Sequence, residues 1–166
     1  MTQTVPLQDF EQIMLLIGRL NYSWTNTESL LIHLIAGQAH TSKEIAVIIF
    51  LTLNTTRARI DLIERLAKMD GHDETERIRV LELTRELSKL SGLRNRYNHC
   101  IYSFDPDGGV PRTIQMRISD RRDAIKMGQI EFLDARARAD IEGAITRLAE
   151  LNRAFWSLIM DYRYPV

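Results

Sequence analysis

Apolar side chains recur every three to four positions along most of this chain, and that spacing constrains its fold more than any other feature. It is the spacing of residues that share one face of an α-helix. The four segments that show it carry these apolar positions: Phe10, Ile13, Met14, Ile17, Leu20, Trp24, Leu31 and Ile35; Ile45, Ile49, Ile60, Ile63 and Leu66; Val80, Leu83, Leu87 and Leu90; and Ile141, Ile145, Leu148, Leu151, Phe155, Leu158 and Ile159. Four such faces predict four long helices that bury their apolar sides against one another.

Breaks in the pattern place the ends of the first two helices. The first helix is predicted to begin near residues 7–9 and to end at the glycine-containing break 37–40. Thr41 and Glu44 have the spacing of a capping box, which predicts the start of the second helix. The second helix then continues to about Lys68 before a turn.

The third helix is predicted to begin near Asp73, and the periodicity changes after it. Residues 100–104 and 113–118 read as strands, with a turn at 105–109 between them, and residues 125–133 predict a further strand. This pattern indicates a small β-hairpin insertion between the third and fourth helices.

The fourth helix completes a single domain. Asp134 has the residue type of an N-cap, and the helix that follows it is predicted to end near Tyr162. The chain of 166 residues is long enough to bury one core and shows no linker, so we predict one domain over residues 1–166. The predicted fold is all-α, an up-and-down four-helix bundle with a small β-hairpin before the last helix.

Composition restricts the classes of function. The 22 basic and 22 acidic residues balance, which argues against a protein that coats nucleic acid through bulk charge but leaves room for a local basic groove. Cys100 is the only cysteine, so no intrachain disulfide is expected and a reducing cytoplasmic setting fits. The longest apolar run, residues 45–53, is shorter than the ~20 residues that cross a bilayer, so we expect no membrane partner. No cofactor or metal site is indicated, because His40 and Glu44 lie on either side of a helix start.

The densest cluster of reactive side chains lies near the end of the third helix. Arg94 and His99 have the spacing Arg-x4-His, and Asn95 follows the arginine directly. In this motif the chain resembles the HEPN superfamily, the "higher eukaryotes and prokaryotes nucleotide-binding" domains. Those domains are helical bundles of about this size, and many carry an Arg-x4–6-His motif near a helix end. Arg65 and His72 also fit that spacing, but a leucine follows Arg65 and His72 lies beyond a glycine turn, so we favour the first pair.

The resemblance implies a metal-independent RNA endonuclease. RNA is cleaved without metal when its own 2′-OH attacks the adjacent phosphate, which requires a proton-transfer group and a cation against the phosphoryl oxygens. In active family members the histidine and the arginine play these parts, so His99 would be the general acid or base and Arg94 the phosphate clamp. Asn95 would orient the pair by hydrogen bonds. The products would carry 2′,3′-cyclic phosphate ends.

The resemblance also implies partners. Arg96, Tyr97 and Tyr102 would hold RNA by charge and by stacking. Active members bring two motifs together across a homodimer, and their setting is a prokaryotic toxin, defence or stress system, with an antitoxin or another protein as a possible partner.

A purely structural role is the alternative for each of these residues. Arg94 falls on the inward face of its helix and would there pair with Glu28, which lies on the apolar face of the first helix. Glu28 would otherwise sit at the edge of that face and reach water. His99 would cap the helix C-terminus and Tyr97 would belong to the core. Five positions on a helix turn through about 140°, so Arg94 and His99 converge only if the helix bends or ends, or across a dimer.

Three functions therefore remain open. The first is the ribonuclease, and the second is a catalytically inactive module of the same fold that binds a nucleotide or a protein partner. The third is a structural dimerisation domain. A cleft that exposes Arg94 and His99 together favours the first, a groove without the pair favours the second, and an Arg94–Glu28 ion pair favours the third.

Overall fold

The computed structural model describes residues 7–104 and 109–166, with side chains for all of these except 7–10, 121 and 127. The helices are α1 Leu7–Glu28, α2 Leu31–Gln38, α3 Lys43–Thr52, α4 Thr56–Ala67, α5 Glu74–Asn98 and α6 Ala135–Asp161. The strands are β1 Cys100–Ser103, β2 Arg112–Gln115, β3 Ile118–Arg121, β4 Ala124–Met127 and β5 Ile130–Phe132. The described chain is predominantly helical with a small antiparallel sheet, as predicted. Its arrangement as a four-helix bundle stays a prediction.

The predicted second helix is wrong, because the chain leaves helical geometry in its middle. Leu53 and Thr55 adopt extended conformations, and the Thr55 side chain accepts a hydrogen bond from Ala58 N at 3.1 Å. A new helix therefore begins there, and the segment forms α3 and α4. The residue that caps α3 is Ser42, which accepts a hydrogen bond from Ile45 N, rather than the predicted Thr41.

The first helix is also divided. The predicted helix forms α1 and α2, which are separated by a turn at residues 29–30. The break after α2 lies where the glycine-containing segment predicted it, and His40 there adopts a positive φ of 49°.

The starts of the two long later helices are confirmed. The Asp73 carboxylate accepts hydrogen bonds from Thr75 N and Glu76 N, at 2.8 and 3.1 Å, and so caps α5. Asp134 accepts one from Ala137 N at 2.9 Å and caps α6. In each case the side-chain oxygen satisfies amide groups that a helix leaves without partners in its first turn.

The β insertion contains more strands than predicted. β2 lies between β1 and β5 in an antiparallel sheet, with Ile101 opposite Ile114 and Ile114 opposite Ile130. β3 and β4 form a separate two-stranded hairpin, which the sequence did not predict. Of the predicted turn at 105–109, residues 105–108 lie outside the described residues.

Contacts divide the chain into two compact units. The first contains the described residues of Met1–Asn21 and Gly92–Ile145, and the second contains Tyr22–Ser91 and Thr146–Val166. The single domain predicted over residues 1–166 stays a prediction. No helix among the described residues is both long and apolar enough to cross a membrane.

In the second unit a carboxylate is buried beside an arginine. Glu28 is 9% exposed and accepts hydrogen bonds from Trp24 Nε1 at 2.9 Å, Thr56 Oγ1 at 2.5 Å and Arg59 Nη1 at 2.9 Å. The Arg59 guanidinium also stacks 3.7 Å from the centre of the Phe50 ring and donates to the Phe50 carbonyl. The cation that neutralises Glu28 is thus Arg59, in α4, and not the Arg94 that the structural alternative named. Glu28 supports the helices of the second unit rather than the groove described next.

Candidate functional site

His99 is the only residue between the end of α5 and the start of β1. Its backbone is fixed on both sides, because its N–H donates to Asn95 O at 3.1 Å and its carbonyl accepts from Met116 N at 3.2 Å. Its side chain is exposed, and the imidazole makes no hydrogen bond with any residue that the structure describes. The junction therefore presents an imidazole to solvent on a rigid backbone.

An open groove of about 420 Å³ surrounds this imidazole. The residues that line it are Gly92, Asn95, Arg96, His99, Gln115, Met116 and Arg117. The first four are spaced three and four apart, which places them on one face at the end of α5. The other three come from the end of β2 and the residues after it. The hydrogen bond from Met116 N to His99 O holds these two walls together.

Two arginines give the groove its charge. Arg96 lies 3.5 Å from Glu131, and because both side chains are partly exposed this ion pair is weak. The Arg117 backbone is held by Gln115 O at 2.8 Å and by Gly128 N at 3.1 Å, while its side chain has no ion-pair partner among the side chains that the structure describes. The groove thus combines guanidinium donors with the amides of Asn95 and Gln115, a set suited to phosphate oxygens.

Arg94 is half-buried and does not line the groove. Its Nη1 donates to Asn95 Oδ1 at 2.9 Å. With the Asn98 amide oriented to satisfy its neighbours, Asn98 Oδ1 accepts from Arg94 Nε at 2.9 Å and from Nη2 at 3.2 Å. The Asn98 nitrogen in turn donates to Asn21 Oδ1 at 2.7 Å. Since α5 stays helical through Asn98, Arg94 keeps the angular separation from His99 that helix geometry gives.

The two tyrosines of the predicted site, Tyr97 and Tyr102, lie outside the lining of the groove. Tyr97 is buried, and the Tyr102 hydroxyl donates to its carbonyl oxygen at 2.6 Å. Cys100, also buried, donates its Sγ–H to the same carbonyl at 3.5 Å. Burial raises the pKa of both tyrosine hydroxyls and of the Cys100 thiol. Neither tyrosine lines the groove, so of the three predicted substrate-binding residues only Arg96 does.

The structure thus brings together His99, Asn95 and Arg96 and keeps Arg94 apart from them. Sequence reasoning missed Arg117, Gln115 and their neighbour Met116. A strand over 113–118 was predicted, and its pairing with the strand after His99 was the only available signal. Which residue of that strand would face His99 depends on the register, which the alternating pattern does not reveal.

Comparison with known proteins gives no family to guide the interpretation. No protein-family model, no curated protein and no solved structure matches the chain. Within the described residues, no three His, Cys, Asp or Glu side chains form a group that could hold a metal ion. The groove is therefore interpreted from the chemistry of its own side chains.

Proposed function

We propose that this protein is a metal-independent RNA endonuclease of the HEPN type, with its site in the groove at the end of α5. One observation carries the proposal: the exposed imidazole of His99 and the guanidinium groups of Arg96 and Arg117 line the same open groove. An imidazole exchanges protons near neutral pH, and two adjacent cations attract a phosphodiester. The Arg-x4-His motif and the predominantly helical chain add to this support.

The chemistry assigns a part to each group. The 2′-oxygen bonds to the adjacent phosphorus, the bond from phosphorus to the 5′-oxygen breaks, and the products are a 2′,3′-cyclic phosphate and a 5′-hydroxyl. A base takes the proton of the 2′-OH and an acid returns a proton to the leaving 5′-oxygen. His99 does one of these. The groove lining contains no second imidazole and no carboxylate, so a homodimer that brings in the second copy's His99 completes the pair.

In this proposal Arg96 and Arg117, rather than Arg94, bind the phosphate. Arg96 and Arg117 face the phosphate and stabilise the charge that builds on its oxygens. Arg94 acts through Asn95: by donating to Asn95 Oδ1, it leaves the Asn95 N–H groups as the donors available to the groove. By the resemblance, the chain is a four-helix bundle in a toxin, defence or stress system, and an antitoxin would be its protein partner.

A catalytically inactive module that binds a nucleotide in the same groove is the second candidate. The observation that favours it is the position of Arg94, whose guanidinium is bonded to Asn95 and Asn98 instead of lining the groove with His99. A groove with cations and one imidazole binds phosphate whether or not it cleaves it.

Cleavage of a mixed RNA pool in excess EDTA tests the proposal. Removing a general acid or base costs about 10²–10⁴-fold in rate, so His99→Ala is expected to abolish detectable cleavage. Arg96→Gln and Arg117→Gln are expected to slow it as well. Arg65→Ala and His72→Ala remove the second Arg–His pair of the chain, which has the spacing Arg-x6-His, and serve as matched controls that keep wild-type activity.

The outcomes separate the candidates. Cleavage with cyclic phosphate ends that only the groove variants lose supports the ribonuclease. Binding of RNA or a nucleotide without cleavage, weakened by Arg96→Gln and Arg117→Gln, supports the inactive module. Protein that neither cleaves nor binds, or whose cleavage survives His99→Ala, refutes the role assigned to this groove.

A further inference from the structure

The sheet of β1, β2 and β5 has one buried face and one exposed apolar face. Residues directly opposite each other in neighbouring strands share a face, and so do alternate residues along a strand. Cys100 and Thr113 are buried on one side. The residues of the other side, in rows across the strands, are Ile101, Ile114 and Ile130, and then Ser103, Arg112 and Phe132. We call this side the outer sheet face.

The outer sheet face ends beside the groove. The hydrogen bond from Met116 N to His99 O extends the pairing of β1 and β2 by one step, so the backbones of His99 and Met116 continue the ladder beyond Ile101 and Ile114. From His99 to Phe132 there are four residue steps along the strands and two strands across, a separation of roughly 16 Å. A chain that occupies the groove therefore passes over this face if it continues in that direction.

The exposed side chains of the face are unusual for a surface that faces water. Ile101, Ile130 and Phe132 are 52%, 54% and 59% exposed. Ile101 and Ile130 flank Ile114 in one row, and Phe132 lies two residues along the strand from Ile130. Arg112 lies in the middle strand of the second row and donates its Nε–H to Ser103 Oγ at 3.4 Å, which holds its side chain along the face. None of the residues on the outer sheet face is acidic.

An aromatic ring beside an arginine on an open sheet is suited to a nucleic-acid strand. A base stacks on the ring, and the guanidinium attracts the phosphate next to it. Arg112 lies on the face itself, and Arg96 and Arg117 line the groove beyond the end of the strands. This charge complements a polyanion.

We propose that the outer sheet face binds the single-stranded part of the RNA substrate, with a base stacked on Phe132 and a phosphate held by Arg112, and leads the strand to His99. The inference rests on the proposed function for the location of the scissile bond. It adds the substrate class, which is unpaired RNA, and a second binding region away from the reacting atoms.

Binding is measured on protein that carries His99→Ala, so that the result does not depend on whether the wild type cleaves RNA. The probe is a fluorescent single-stranded RNA of about ten nucleotides and mixed sequence, beside the same sequence as a duplex. Phe132→Leu keeps an apolar side chain but removes the ring, and Phe132→Trp keeps a ring. Tyr22→Leu removes another exposed ring, which is 73% exposed in the second unit, and is the matched control.

We expect Phe132→Leu to weaken single-strand binding about five-fold or more, as loss of one stacked base does, and Phe132→Trp and Tyr22→Leu to leave it unchanged. Arg112→Gln is expected to lower the slope of log affinity against log salt by about 0.7, the value for one phosphate contact on a single strand. Arg57→Gln, whose exposed side chain lies in the second unit, is its control.

Three results would overturn the inference. The first is that Phe132→Leu binds the single strand as tightly as protein that keeps Phe132. The second is that the duplex binds as tightly as the single strand. The third is that the protein forms a dimer, which Phe132→Leu converts to monomers. The last would show that a second copy covers the face. Wild-type protein that does not cleave RNA, together with His99→Ala protein whose single-strand binding Phe132→Leu weakens, would instead refute the proposed function alone.

Discussion

Replacing Arg59 by methionine should destabilise the protein by about 3 kcal/mol. Breaking a buried ion pair costs about 3–5 kcal/mol, because the remaining charge stays buried without its partner. The Arg59 and Glu28 side chains keep 15% and 12% of their exposure, so the lower end of that range applies. Two contacts with Phe50, the hydrogen bond to its carbonyl and the stacking on its ring, are lost as well. Trp24 and Thr56 still donate hydrogen bonds to Glu28, which limits the free-energy cost of leaving its charge buried.

Urea unfolding followed by circular dichroism measures this loss. For a chain of this size about 3 kcal/mol also lowers the melting temperature by about 6–12 °C. The double variant Glu28→Gln with Arg59→Met should lose at least about 1.5 kcal/mol less than the sum of the single variants, because the second change removes the stranded charge. Arg57→Met is the matched control: its pair with Asp61, 3.8 Å apart, is exposed and should be worth less than about 1 kcal/mol.

Two results would refute the reasoning. If Arg59→Met costs less than about 1 kcal/mol, the carboxylate does not depend on its cation. If the losses of the two single variants simply add in the double variant, Glu28 and Arg59 do not interact energetically, whatever their distance.

Two further predictions concern glycine positions and pH. Gly37→Ala should lower the free energy of unfolding by about 1–3 kcal/mol, because the added Cβ would clash with the Tyr164 ring. Gly143→Ala, within α6, should raise the free energy of unfolding by up to about 1 kcal/mol, because nothing lies within 4 Å of the added Cβ. Thermal melts compare the two variants. Burial, with a hydrogen bond to Glu76, raises the pKa of Tyr164, so above the usual tyrosine pKa of about 10 the unfolded chain binds fewer protons than the folded one. The free energy of unfolding should therefore fall as the pH rises beyond that value, and Tyr164→Phe should make the fall shallower in urea titrations; an unchanged slope would contradict this cause.

Periodicity predicted where helices lie better than where they end. Apolar and threonine positions keep helical spacing through Thr52 and Thr56, so the pattern passes over the break between α3 and α4. The break is made locally by the side chain of Thr55, which competes for the backbone and caps a new helix. The pairing of β3 with β4 left no alternating pattern, because Ile118 and Ile125 are both exposed and none of the side chains described in these two strands is buried.

The sequence indicated where along the chain the candidate site would lie, but not all of the residues that line it. His99 was placed at a helix end by the change of pattern, and helix geometry let Arg94 point the same way only if the helix bent or ended there, or across a dimer. The second wall of the groove comes from residues about twenty positions further along, through a strand register that alternation alone cannot specify. Arg96 was predicted as a cation beside the motif, whereas Arg117 required the pairing of Met116 with His99.

The single-residue junction between α5 and β1 also limits how this chain can change length. An insertion or deletion of one residue there would rotate every later side chain of β1 to the opposite face, which would expose Cys100 and turn Ile101 inward. A homologue with a longer interval between the arginine and the histidine would have to place the extra residues within the helix, as an added part of a turn. Insertions and deletions between homologues are therefore expected in the β3–β4 hairpin, whose turn is exposed, and not at His99.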